Sequence, residues 1–399
     1  MTETRIQVDS IIIGGGIAGL WLLNRLVNLG YNAVLFEQDE LGKGQTIASQ
    51  GMIHGGIKYA LGGSLTGESE AIAAMPGHWA ACLENHGDVN LGDCNILSRH
   101  FYLWSTQSLT SKLTSFFASK MLRGRVNAVK GKDKPPVFDD PAFKGSLYKL
   151  ADLVLDVPSL IETLAKPVQN RIFSIDWSQA ELQKSGQRLS GLKLDNGLLL
   201  ETDLVVLTAG AGNERLLDSL QLKKPAMQLR PLQQVLVKHS YPHPLYAHCM
   251  GSNPSPRLTI SSHHCRDGKS CWYLGGDLAT EGVGMNSAEL IDKARSELFS
   301  LFPWIDFGHC EWATLPVDRA EPKQSQLIKP DKAYAEWAPD CDNVMVAWPT
   351  KLTLAPNMVE QARSLIAARL PEPSRRSVPE ALTSLPRPAI ATPCWESLF

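Results

Sequence analysis

The apolar positions change period twice within the first forty residues. Val8 to Ile13 is a short, β-branched segment that reads as a buried strand. From Ile17 to Leu29, the apolar residues Leu20, Trp21, Leu23 and Val27 give a helix a broad apolar face, and Gly30 stops it. Asn32 to Glu37 is a second apolar run. Strand, crossover helix and strand predict a parallel pair. The buried-strand pattern returns in "DLVVLTAGAGN" (203–213) and in "DNVMVAWP" (342–349), and the second is followed by a helical pattern from Asn357 to Leu370.

Between these segments the texture differs. "QVLVKHS", "LYAHCM", "RLTISSH" and "CWYLGG" are short segments separated by turn signals, which predicts antiparallel strands. Leu97 to Trp104 is a further strand. Helices are expected over Ser69–Asn85 and Leu109–Leu122, from about Ser159, and over Ser287–Ser300 with Ser287 as N-cap. Leu192–Leu194 and Leu198–Leu200 flank Asp195-Asn196-Gly197, a type I′ hairpin signal. Lys130 to Lys144, charged and proline-broken, reads as exposed loop. The predicted fold is α/β: a Rossmann-like cofactor domain built from discontinuous segments (1–85, 151–230, 326–370), with an inserted antiparallel-sheet (α+β) substrate domain (86–150, 231–325). A proline-rich tail (371–399) is left to wrap over the surface or fray.

Composition narrows the function. The 399 residues are 44% hydrophobic with a net charge of −2, so no global field draws in nucleic acid, while a local basic pocket for a small acid is allowed. The eight cysteines include no CxxC pair, and the histidines at 239, 243, 248, 263 and 264 lack convergent spacing, so no metal is expected. His263 and His264 fall on opposite faces of a strand. One is expected in a pocket and the other at the surface. No run approaches the ~20 apolar residues of a membrane span, and the N-terminus lacks a secretory pattern. A cytoplasmic protein is expected, with peripheral contact at the inner face of a membrane left open.

The chemistry concentrates at the first strand–helix junction. Gly14, Gly16 and Gly19 form GxGxxG there. The first allows the tight turn, the second a close backbone approach to a pyrophosphate, and the third close helix–strand packing. Glu37 ends the second strand, where an acid suits a ribose hydroxyl pair and repels a 2′-phosphate. This context predicts dinucleotide binding without distinguishing NAD from FAD. The glycine-rich stretch 42–67, with "GMIHGGIKYALGG" inside it, has the character of a loop that something must approach closely.

These motifs resemble the FAD-dependent oxidoreductases of the D-amino-acid-oxidase type, a group that includes glycerol-3-phosphate dehydrogenase, L-2-hydroxyglutarate dehydrogenase and glycine oxidase. "IIIGGGIAGLWLLNRLVNLGYNAVLFEQ", "ASQGMIHGGIKY", "DLVVLTAGAGN" and "MVAWPTKLTLAPNMVEQA" carry the likeness. It implies FAD held by Gly14, Gly16, Ile17, Ala18 and Gly19, by Glu37 and Gln38, by Gly51 and His54, by Gly210, and by Lys351, Leu352 and Thr353. The helix starting near Asn357 would face the flavin ring. It also implies a reactive face built from His54, Lys58, Tyr59, Arg319 and Lys351. The nearest branches are the glycerol-3-phosphate and 2-hydroxyglutarate dehydrogenases. The first usually has arginine where this chain has Lys58, which lacks the two-point fork.

The implied activity is oxidation of a small anionic hydroxy compound, of the glycerol 3-phosphate or 2-hydroxy acid type, by hydride transfer to flavin N5. Oxygen or a quinone would be the electron acceptor. An amine or amino-acid oxidase of the same fold is the alternative, and a flavin-binding subunit without turnover is a third reading. Oligomeric state is not legible.

Overall fold

A computed structural model describes residues 4–56, 67–109, 126–253, 255–323, 332–370 and 372–399. Lys58, Tyr59 and nearly all of the segment 109–122 lie outside the described residues.

The first strand, Thr4–Ile13, sits at the centre of an eight-stranded sheet. It pairs in parallel with Ala33–Glu37 on one side and Leu198–Leu207 on the other, and Ile172–Ser174 and Val344–Trp348 extend the parallel set. The apolar runs have a simple cause. Ile12, Leu35, Leu204 and Val206 enter one core with the helices Ile17–Asn28 and Ala355–Ala367, while Ile11, Ile13, Val34, Phe36, Val205 and Leu207 enter a second core on the opposite face. Each such side chain withdrawn from water contributes about 1.5–3 kcal/mol.

A second eight-stranded sheet holds the intervening segments, in the order Glu311–Pro322, Met227–His239, Ser270–Gly275, Pro256–His264, Ala247–Met250, Phe101–Ser105, Ser146–Leu150, Val126–Ala128. One pair departs from the antiparallel expectation: Ala247–Met250 runs parallel to Phe101–Ser105. Helix Ser287–Leu301 packs Leu290, Ala294 and Leu298 on this sheet. Its N-cap is Asn286 rather than Ser287, because a capping box joins Asn286 to Glu289. A small third sheet ties Met52–Ile53 to Leu153–Leu155 and Ile96–Ser98.

Two further expectations are corrected. The Asp195–Gly197 turn is not type I′, which needs positive φ at both central residues. Only Gly197 has it, and Leu194 N closes a three-residue loop on Leu198 O at 2.8 Å. The stretch 130–144 is not simply exposed. Val137 and Phe138 are fully buried, with Phe138 against Trp104 and Phe302, and Trp304 Nε1 donates to Val137 O at 2.9 Å. Charge at the ends of that stretch masked a two-residue apolar plug.

Two buried histidines set an acid limit on this fold. Burial pushes His239 down to about 4 and, with repulsion from His264 added, His263 down to about 3. An unfolded histidine titrates near 6.5, so between that pH and about 3–4 the unfolded chain binds more protons. Stability is full above pH 6.5 and is lost as pH falls through this window. Melting temperature is expected to drop steadily from pH 6.5 to 4, with a shallower slope in His263→Gln. A flat profile in the parent protein would contradict the assignment.

Candidate functional site

A single cavity of about 1040 Å³ runs between the C-terminal ends of the parallel strands and the face of the second sheet. That is the top of the range for drug-sized ligands. At one end stands the turn after the first strand. Gly14 has φ +111°, and a Cβ there would lie 2.6 Å from the Ala209 backbone. A Cβ on Gly19 would lie 1.9 Å from Gly14 O. Both glycines are demanded by protein packing. Gly16 is different: its φ is −77°, and a Cβ would meet only Thr46 Oγ1 at 3.1 Å. The space in front of Gly16 belongs to the cavity. Helix Ile17–Asn28 begins there with no side-chain cap, and Thr46 Oγ1 accepts from Ile17 N at 3.2 Å.

Glu37 stands on the same wall. Its carboxylate accepts from Gly15 N at 2.6 Å and from Asp39 N at 2.9 Å, which fixes both oxygens. Gln38, Ile17, Ala18 and Gly210 line the cavity with it, Gly210 at φ +58° with its carbonyl accepting from Trp348 Nε1. Gly19 lies behind the turn and does not line it.

The loop 41–51 forms the next stretch of wall. It is fastened from outside: Tyr273 Oη donates to Ala48 O at 2.7 Å, and Gln50 Nε2 donates to Tyr273 O at 2.6 Å. Gly51, at φ +70°, approaches Leu155 so closely that a Cβ would lie 2.0 Å from its carbonyl oxygen. His54 follows, buried, its N–H donating to Thr353 Oγ1 at 3.4 Å while that hydroxyl donates to Met52 O. Lys351, Leu352 and Thr353 complete this side, leading through a turn at Leu352–Leu354 into the helix, which starts at Ala355, two residues before the sequence places it.

The far end is set by the second sheet. Arg319 on Glu311–Pro322 lies directly opposite Arg230 on Met227–His239, and opposed residues of an antiparallel pair share a face. Both line the cavity. Glu321, 4% exposed, accepts through one oxygen from Arg230 Nε at 3.0 Å, Arg230 Nη2 at 2.6 Å and Gln228 Nε2 at 2.6 Å. Gln234 and His248 also line this end, with His248 Nδ1 2.8 Å from Thr259 Oγ1.

The structure thus brings together on one cavity every candidate named from the sequence except Gly19 and the two outside the described residues. It adds Thr46, Arg230, Gln234 and His248. Arg230 was legible only as part of the alternation Arg230, Leu232, Gln234, which begins before the hydrophobic run that marks the strand. Neither His263 nor His264 is a pocket residue. His263 stacks on Trp395 at 3.9 Å and His264 is exposed.

Elsewhere among the described residues, His78, Cys82 and Asp88 bring three ligand-type atoms within 4.8 Å of one another. Asp88 accepts from His78 at 2.8 Å, Trp21 at 3.1 Å and Cys82 at 3.3 Å, and burial holds the Cys82 thiol up at about 12. Hydrogen bonding accounts for this cluster.

A glycine turn whose middle member, Gly16, protein packing alone does not require, a fixed acid beside it and a cavity continuing to a second sheet define a dinucleotide-dependent enzyme. Residues 9–347 match the FAD dependent oxidoreductase family, and the chain belongs to it. It is 50% identical over 396 residues, 99% of each chain, to a probable FAD-dependent oxidoreductase of Pseudomonas aeruginosa, PA4991. The crystal structure of that protein superposes with a TM-score of 0.85 over 99% of both chains at 43% identity. Glycine oxidase from Geobacillus kaustophilus shares the fold, with a TM-score of 0.65 at 17% identity over 92% of this chain and 96% of its own. The cofactor is FAD. No helix of the described residues is long and apolar enough to cross a membrane.

Proposed function

We propose that this enzyme oxidises a small monocarboxylate, a 2-hydroxy or 2-amino acid, at the carbon bearing the hydroxyl or amine. The observation that carries the reading is the Arg230–Arg319 pair on the wall of the cofactor cavity. Like charges directly opposed across strands destabilise a sheet; Glu321 compensates Arg230, and an anionic ligand facing the cavity would lower the repulsion further. Among the described residues, the charged groups lining this end are Arg230 and Arg319 against Asp318 and Glu321, with Lys351 on the adjoining wall. An excess of one positive charge favours a monocarboxylate over a phosphate dianion, so glycerol 3-phosphate ranks below the hydroxy and amino acids.

FAD, when bound, supplies the two-electron acceptor for this oxidation. The chain supplies the rest. Gly14 to Ala18 hold the pyrophosphate, with the first helical amides turned toward it. Glu37 holds the ribose. His54, Lys351, Leu352 and Thr353 border the flavin ring, and the start of helix Ala355–Ala367 stabilises negative charge there. Arg230, oriented by Glu321, and Arg319 hold the carboxylate and present the C–H bond.

The test is anaerobic flavin reduction by 2-hydroxy acids, 2-amino acids, glycerol 3-phosphate and neutral amines. Bleaching by carboxylates supports the reading. Bleaching only by glycerol 3-phosphate or a neutral amine overturns it. Glu37→Ala is expected to weaken FAD about 10- to 100-fold, the loss of a hydrogen-bonded charge, in fluorescence titration of the apoprotein. The reconstituted enzyme should keep the parent substrate preference. A changed preference would move Glu37 out of the ribose site.

A further inference from the structure

Residues 386–399 cross the molecule from one sheet to the other, and what they touch on the way is the cofactor loop. Ser174 N, on the edge of the parallel sheet, donates to Pro386 O at 2.8 Å. Leu41 N then donates to Ala389 O at 2.7 Å and Ala391 N to Leu41 O at 3.0 Å, a parallel bridge between Leu41 and Ile390. Leu41 is the residue beneath the glycine turn. Its side chain occupies the space a Cβ on Gly15 would need, 2.5 Å away, and Gly42 N donates to Gly15 O at 2.9 Å.

At the far end, Cys394 and Trp395 are buried against Leu236, Cys265, Cys271 and Tyr273 of the second sheet. Trp395 stacks on His263 with planes 16° apart, and Arg266 N donates to Glu396 Oε1 at 2.8 Å. Tyr273, packed in that cluster, is the residue that grips Ala48 and Gln50.

The segment therefore reaches the loop 41–51 twice, by backbone at Leu41 and through Tyr273 at Ala48 and Gln50. The loop is rich in Gly, Ser, Thr and Gln, and of its side chains only Leu41 and Ile47 enter the main core. Ordering each of its residues is entropically costly, and a ligand that needs the loop ordered loses affinity if nothing else has ordered it.

We infer that residues 386–399 are a clasp that positions the cofactor loop and sets the rate at which FAD leaves, with Trp395 as the positioning residue at its anchored end. Removing the ring releases the clasp without touching any residue that lines the cavity.

The experiment uses FAD-loaded protein. FAD release is followed by the rise in flavin fluorescence for the parent, Trp395→Ala and Trp395→Phe. Release is expected to be about tenfold faster or more in Trp395→Ala, the equivalent of one or two lost hydrogen bonds at the loop, and near the parent rate in Trp395→Phe. A purely structural role would lower the melting temperature of apoprotein and loaded protein equally and leave the release rate unchanged. That result overturns the inference. Should Trp395→Ala not fold, amide hydrogen exchange of the parent decides. FAD binding is expected to slow exchange at Leu41 and Ala391 together with the loop amides, and unchanged exchange at those two positions overturns the clasp.

Discussion

Replacing Gly16 with valine is expected to leave the fold intact and strip the protein of FAD. The three fingerprint glycines separate cleanly by what they face. A side chain at Gly19 drives into Gly14 O, and one at Gly14 meets the Ala209 backbone at a φ that L residues rarely adopt, so changes there disturb the protein itself. At Gly16 the backbone is extended at φ −77°, ψ −173°, a region valine readily occupies, and the nearest protein atom is a single hydroxyl at 3.1 Å. Beyond a small shift of Thr46 Oγ1, a side chain there would displace only a ligand held against the helix amides, where we propose the pyrophosphate lies. Loss of that contact is expected to weaken FAD by at least about 100-fold, two to three charge-assisted hydrogen bonds' worth. Gly16→Val should give colourless protein with parent-like far-UV circular dichroism, and Gly19→Val a protein that folds poorly with or without FAD. Parent-level flavin content in folded Gly16→Val would mean that the pyrophosphate does not lie on this turn.

That distinction marks what a sequence can and cannot carry. The parallel sheet was legible because its strands are buried on both faces, so burial alone writes a continuous apolar run from Ile11 to Ile13 and from Leu204 to Leu207. The fingerprint was legible because steric demand leaves only glycine at 14 and 19, with the third glycine at fixed spacing between them. The arginine pair was half legible. Arg319 follows a recognisable motif, but Arg230 sits where the strand Met227–His239 is partly exposed and gives no hydrophobic signal. Its partnership with Arg319 depends on a pairing register across some ninety residues. The anchoring of the C-terminal segment was not legible either. Its contacts are a few hydrogen bonds, one stacked ring and a buried cysteine, and prolines in the sequence point as readily to a loose tail. The buried Val137–Phe138 pair was hidden for the converse reason, since two apolar residues among many charges do not form a periodic pattern.

Removing Arg319 is expected to slow flavin reduction by substrate while leaving flavin content unchanged, at a cost of roughly 2–5 kcal/mol in transition-state binding. Arg230 needs a more careful design, because it does two things. It faces the cavity and also compensates Glu321, a carboxylate that is 4% exposed. Arg230→Ala therefore leaves a buried charge held by Gln228 alone and is expected to lower stability as well as activity. Adding Glu321→Gln removes that stranded charge. The double variant Arg230→Ala/Glu321→Gln should recover most of the melting temperature and none of the reduction rate. Arg230→Lys should fall between, keeping a point charge and losing the planar fork. The readout is the anaerobic reduction rate at saturating and limiting substrate, measured beside flavin content. A defect concentrated at limiting substrate identifies an arginine that holds the carboxylate in ground and transition state alike, and an equal defect at both identifies one whose contact matures only as the C–H bond breaks. Parent-like reduction in both Arg319→Ala and the double variant would remove the carboxylate clamp, and with it the argument for a monoanionic substrate.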